Sequence, residues 1–402
     1  MRQRISLIRR LFNNRTIEIV TAILAVTISI RYIKNIEIPL QIVSVLSLWV
    51  ACSSIRKSIR ISWPLIIFVT ILAISLFISP TTDYLARIFR FTAFIIGMLC
   101  FSPLIYSTRL EKYRRLMAVI LFISLTICVG ISFLIYLYVL IIREDIFSSA
   151  FYYYGFTGIF NRGMALSPMA ALVAIGALWI SINGRLKTRW RVLWLTIALI
   201  GTITCIAAGS RMAVISLFIC MILIAICQYK ILIRYFRTRT GFITVVVLFI
   251  TLGLSLPYSL KVINYKQIIS DKHNSILFSR AQKWQTRWAE FESSPLLGIG
   301  YANAFKEENN LGETPGAFIP GSSWLTVLTY GGIVGGMPFL WFMFDLVKRL
   351  WRRRGKSEYP LLLGLLVFFL FNGMTEGWLL FAGALMFPLF WLTCSEIYAG
   401  DT

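Results

Sequence analysis

The chain of 402 residues has one histidine, His273, and 17 acidic residues against 40 basic ones. Charged residues amount to 14% of it, where a soluble domain carries about a quarter. No Walker A loop, H-E-x-x-H, G-x-S-x-G or Asp-rich run occurs. ATP-driven transport, zinc proteolysis and serine hydrolysis therefore lack support. The seven cysteines show no C-x-x-C spacing and no neighbouring histidine. Neither a disulfide frame nor a metal site is suggested, and they read as thiols facing lipid or core. Gly298-Ile299-Gly300 lacks the third glycine and the βαβ setting of a dinucleotide fingerprint.

Apolar residues fill the space that charge leaves. They make up 58% of the chain, in blocks of about twenty, the length that crosses a hydrocarbon core. A water-soluble enzyme, a secreted disulfide scaffold and a disordered chain are excluded. The pattern predicts an all-α polytopic membrane protein, a single integral membrane domain over 1–402. Twelve spans are predicted, at 17–33, 36–55, 61–79, 86–106, 117–142, 164–182, 192–209, 212–228, 242–257, 322–344, 360–374 and 378–398. The first pair is also readable as a re-entrant hairpin.

The net charge of +23 would suit nucleic acid if it lay in one patch. It is instead distributed by side. Placing the N-terminus inside collects 26 of the 40 basic residues into 1–16, 56–60, 107–116, 183–191, 229–241 and 345–359, as the positive-inside rule requires. The charge is a topology signal, and nucleic acid is not an expected partner. Both termini are expected in the cytoplasm, with the N-terminal arginines a retained anchor. Two longer segments fall outside: 143–163, with the aromatic run Phe151 to Tyr154, and 258–321, of mixed charge. Loops on a rigid scaffold commonly carry function, so the site is expected on the outer face.

Charges near the hydrocarbon need a reason, since an arginine there costs about 2.5–3.5 kcal/mol. Arg211 follows Gly209 and Ser210 at the junction of two apolar blocks. It suits either snorkelling to lipid phosphate or an anionic headgroup at a helix start. Arg87 and Arg90 share one face of the fourth span. They read as a boundary anchor, with Asp83 as a candidate partner of Arg87, or as a phosphate-facing patch. Arg280, Lys283 and Arg287 line one side of a helix-like stretch from Ser279 to Glu292, flanked by Trp284 and Trp288. That pattern fits a phosphorylated lipid-linked sugar, and equally an interfacial helix lying on the bilayer. Glu376, in the short turn from Asn372 to Trp378, is a carboxylate placed to serve as general base or simply as turn chemistry. His273 reads as a solvated loop residue.

Three pieces of the chain stand out: Gly209-Ser210-Arg211, then Arg280 and Trp284 with Ser294-Pro295-Leu296-Leu297-Gly298-Ile299-Gly300, and finally Ser322-Ser323-Trp324-Leu325 with Gly331-Gly332-Ile333-Val334-Gly335. Together they resemble the bacterial O-antigen polymerase and O-antigen ligase superfamily. The likeness runs from about 190 to 398. It implies a GT-C-like glycosyltransferase of the bacterial inner membrane, acting on the periplasmic side, with 258–321 and 143–163 as periplasmic loops. It further implies an undecaprenyl-diphosphate-linked glycan donor held by Arg211 and Arg280, with Arg287, Lys283, Arg87 and Arg90 assisting. Trp284 and Trp324 would be sugar platforms. No cofactor and no metal is expected, arginine charge standing in for a cation. The acceptor would be a glycan hydroxyl or lipid A-core, and a chain-length regulator is a further partner that such a role allows. Ligases of this kind carry a histidine at the start of the third motif, where this chain reads Ile319-Pro320-Gly321-Ser322. The departure favours a repeat-unit polymerase over a ligase. A lipid-linked oligosaccharide transporter is the lesser alternative; its costly residues would sit at mid-membrane.

Overall fold

The computed structural model describes residues 14–55, 59–78, 84–142, 155–183, 186–229, 278–304 and 321–400. Among them the helices are α1 (Asn14–Ile30), α2 (Leu40–Ser54), α3 (Trp63–Ile78), α4 (Tyr84–Phe101), α5 (Thr108–Ile142) and α6 (Gly163–Asn183). They continue as α7 (Thr188–Ala207), α8 (Arg211–Cys227), α9 (Phe278–Ser293), α10 (Ser323–Arg352), α11 (Tyr359–Asn372) and α12 (Met386–Ala399). Eleven of the twelve apolar segments coincide with a helix, and α9 is the basic stretch between spans. The remaining segment, 242–257, lies outside the described residues, as do 143–154, most of 258–321 and His273.

An all-helical solution follows from the composition. Without water to satisfy them, backbone groups must bond within their own segment. Among the described residues, five helices are long and apolar enough to cross a membrane: α4, α6, α7, α10 and most of α5. Their outward faces are greasy. On α5, Val119, Ile123, Ile127, Ile131, Leu134 and Tyr138 form one exposed stripe, while Met117, Leu121, Leu125 and Val129 are buried. A stripe of that size suits lipid and not water. Inside, small residues bring backbones together. A Cβ on Gly201 of α7 would stand 2.8 Å from the Ala170 carbonyl of α6.

Connections between helices sort to two ends of the bundle. At one end Lys34 donates to the Ile159 carbonyl and Phe156 to that of Ala207. The same end holds 294–304 and the α11–α12 connection. At the other end β1 (Arg60–Ile61) pairs antiparallel with β2 (Ile105–Tyr106), and Arg115 bridges Glu396 at 2.9 Å. Arg114 is buried there, with Nε on Cys100 O, Nη1 on Ser395 Oγ and Nη2 on Leu99 O at 2.8–3.0 Å.

The helix that organises the first end is α10, and it is broken. Gly332 has φ 61° and ψ −164° in the middle of its apolar run. The segment 294–300 fills the break: Ile299 N donates to Thr329 O, Ile333 N to Pro295 O and Val334 N to Leu296 O, all at 2.8–3.1 Å. The two glycine-rich motifs are thus two halves of one joint. From α3, Ser75 Oγ lies 2.6 Å from Leu297 O and 2.8 Å from Tyr330 O, sharing its proton between strap and broken helix. Ser75→Ala is expected to cost about 1–3 kcal/mol, since buried acceptors lose their donor. An unchanged melting temperature in detergent would show that the joint holds without it.

Candidate functional site

On helix α9 the two buried charges, Arg287 and Glu290, are paired with each other. Glu290 is fully enclosed and takes a hydrogen bond from Arg287 Nη1 at 2.6 Å. The Arg287 guanidinium stands 5.9 Å from the Tyr330 ring centroid, and Arg287 O accepts from Thr329 Oγ1 at 3.2 Å. Lys283 covers Gly321, where a Cβ would meet its own Cβ at 2.7 Å. Trp284 Nε1 donates to Gly321 O at 3.1 Å. The helix therefore clamps the start and the break of α10.

Next to this clamp the joint leads into Tyr301. Its ring contacts Phe91 and Phe94 of α4 at 5.1 and 5.3 Å and Tyr330 at 5.5 Å. Its hydroxyl donates to Leu380 O at 2.7 Å. Burial holds that phenol well above the ordinary tyrosine range, with Tyr330 adding and Arg90 opposing. It stays protonated at neutral pH and serves as a donor. Arg87 Nε donates to the Tyr301 carbonyl at 3.0 Å. A narrow crevice, wide enough for about one water molecule, is walled by Arg90, Tyr301, Thr326, Tyr330, Gly377 and Phe381. The Tyr330 hydroxyl feels the charges of Arg287, Glu290, Arg90 and Arg87.

Arg87, Arg90 and Arg287, named from the sequence, thus converge around Tyr330. Lys283 and Trp284 flank them from α9. Trp324 packs beside Phe339 and donates from Nε1 to Leu370 O at 3.2 Å. Glu376 is half-buried, one residue from Gly377 of the crevice wall. Its carbonyl accepts from Ser323 Oγ at 2.6 Å, and Leu379 N donates to the same hydroxyl at 3.3 Å. Arg211 is exposed at the first position of α8, a helix that packs on α6, α7 and α11. Arg280 lies in the first turn of α9, its side chain outside the described set, as is Asp83. Tyr301, Tyr330, Glu290 and Ser75 were not marked by the sequence. For Glu290 a signal existed: an acid three positions after a basic residue that turns inward.

Residues 196–340 match the family model described as O-antigen ligase. The match covers the middle third of the chain and supports its resemblance to the O-antigen polymerase and ligase superfamily. The matched region runs from the middle of α7 through α8 and α9 into α10, taking in Arg211, the arginines of α9 and the joint at Gly332. The matched family implies a glycosyltransferase-like enzyme. Arg87, Arg90 and Glu376 lie outside the matched region, so only the geometry connects them with it. Among curated proteins none matches the chain.

Proposed function

We propose that the protein is a repeat-unit polymerase of surface polysaccharide, with the crevice end facing the periplasm. It takes a growing glycan from undecaprenyl diphosphate and joins it to a sugar hydroxyl of a lipid-linked repeat unit. The acceptor oxygen bonds to the anomeric carbon as the bond from that carbon to the diphosphate oxygen breaks. The hydroxyl proton passes to a base, for which Glu376 is the candidate, and lipid diphosphate departs. Arg211 and Arg280 hold its charge in the role that a metal ion would otherwise fill. Trp284 and Trp324 border the sugar path.

The observation that carries this reading is the family match across Arg211, Arg280 and the joint. The choice of polymerase over ligase rests on the third motif, which opens Ile319-Pro320-Gly321-Ser322-Ser323 with no histidine, the residue that ligases carry at its start. Ser322 accepts from the Leu325 amide at the start of α10, and Ser323 ties down the Glu376 turn. Both hydroxyls are in structural use, which fits a site whose base comes from another segment. Ligation to lipid A-core is the second reading, favoured by the description of the matched family itself.

The test is the polysaccharide ladder of cells lacking the protein, complemented with wild type, Arg211→Ala or Arg280→Ala. Loss of long polymer with single repeat units retained on core is the expected result, reproduced by both variants. Polymer stranded on the lipid carrier with bare core would replace the polymerase by the ligase. An unchanged ladder would remove both and leave a transporter.

A further inference from the structure

Between α11 and α12 the chain leaves the helix where lipid would favour keeping it. Each of the two helices has 14 residues, about 21 Å, against a hydrocarbon core of about 30 Å. The irregular segment 373–385 takes up the remaining depth, with Trp378, Leu379, Leu380 and Leu385 buried. Backbone of that kind survives at such depth only where protein encloses it or where it lines a cavity. Here both conditions hold. Gly377, Leu380 and Phe381 wall the crevice, and side chains from elsewhere satisfy the enclosed backbone. Ser323 Oγ donates to Glu376 O at 2.6 Å and accepts from Leu379 N at 3.3 Å. Trp391 Nε1 donates to Leu379 O at 3.2 Å, and the Tyr301 hydroxyl to Leu380 O at 2.7 Å.

Tyr301 is held in its turn. Arg87 Nε donates to its carbonyl at 3.0 Å, and Arg287 Nη1 donates to Asn303 O, two residues on, at 3.4 Å. Ala302 between them has φ 54°, a conformation that a non-glycine residue keeps only under such constraint. Two arginines, from α4 and α9, thus fix a strained turn that aims one phenol at the α11–α12 connection. Another turn of helix on α11 would satisfy the same backbone without any of these contacts. What the irregular course provides is a half-buried carboxylate, Glu376, one residue from the crevice wall. A general base works only within hydrogen-bond reach of the proton it takes, and a shift of about 1 Å from a remote change costs up to about 100-fold. We infer that Tyr301 and Ser323 are positioning residues for glycan transfer: through the Leu380 and Glu376 carbonyls they fix the unwound backbone and so the place of the Glu376 carboxylate. Neither needs to touch the reacting atoms. The inference rests on the transfer reading above, in which Glu376 takes the acceptor proton.

The experiment uses the purified full chain in proteoliposomes, supplied with undecaprenyl-diphosphate-linked repeat units extracted from cells lacking the protein. Polymer formed per folded protein gives kcat and KM, and melting temperatures in detergent are taken alongside. Tyr301→Phe keeps the ring packed on Phe91, Phe94 and Tyr330 and removes only the donor to Leu380. It is expected to lower kcat by about tenfold or more with KM unchanged, the signature of support realised only in the transition state. Ser323→Ala does the same, and decides the matter if Tyr301→Phe does not fold. Glu376→Gln loses more than either. Wild-type kcat per folded protein in both positioning variants, whatever their melting temperatures, would make their bonds structural alone; that overturns the inference and leaves the transfer reading standing. A raised KM with unchanged kcat would overturn it too, since the residues would then hold substrate. Full activity of Glu376→Gln would overturn it by removing the group to be positioned. No polymer from the wild type would remove the transfer reading and the inference together.

Discussion

Gly332→Ala is expected to yield little folded protein. Its φ of 61° with ψ of −164° belongs to a region that only glycine enters readily, worth about 1–3 kcal/mol for any other residue. A Cβ there would meet the Leu296 carbonyl oxygen at 2.1 Å, and backbone cannot swing aside as a flexible side chain can. Pushing the strap away also breaks the bonds from Ile333 N and Val334 N, at about 1–3 kcal/mol for each group left unsatisfied. The total is a large part of the roughly 5–15 kcal/mol that separates a typical native state from its unfolded ensemble. Gly355 is the control, because a Cβ there meets nothing within 4 Å. Size-exclusion profiles of detergent extracts should show Gly355→Ala as a single peak and Gly332→Ala as aggregate. A monodisperse Gly332→Ala protein melting like wild type would mean the joint is looser than its hydrogen bonds indicate.

Glu290→Leu is expected to cost about 3–5 kcal/mol, because it leaves Arg287 charged and enclosed without its counter-ion. Arg287→Met does the converse to the carboxylate. The double variant Arg287→Met with Glu290→Leu should be more stable than either single one, since two apolar side chains pack where two charges had to be desolvated. Melting temperatures of the four proteins close the cycle. Simple additivity of the two losses would show that the pair is not the unit of stability. The same double variant separates stability from function. If it folds and makes no long polymer, Arg287 acts on substrate as well as on α10; if it folds and polymerises, the pair is structural alone.

The basic face of α9 shows where reading by spacing stops. Arg280, Lys283 and Arg287 lie on one side by periodicity alone, which suggested a surface for an anion. Periodicity cannot say which of them turns inward. In the folded chain Arg287 faces Glu290 and Tyr330, and Lys283 covers Gly321. Arg87 shows the reverse. From spacing it was a boundary arginine with two readings. Its burial, and the bond from its Nε to the Tyr301 carbonyl, make it the more telling of the two on α4.

The helices, the membrane class and the family resemblance were legible in the sequence alone. Apolar run length, the scarcity of charge and short motifs are local properties, and lipid enforces helix wherever a run is long enough. Only tertiary structure decided that Pro295 to Gly300 and Gly331 to Gly335 are one joint, since their meeting depends on backbone groups that a broken α10 leaves free. Only tertiary structure placed Arg90, Tyr301, Tyr330 and the Glu376 turn around one crevice, with Arg87 bonded to the Tyr301 carbonyl beside it. Their positions span some three hundred residues, and what joins them is the packing of α3, α4 and α9 about the broken helix, which no local pattern encodes.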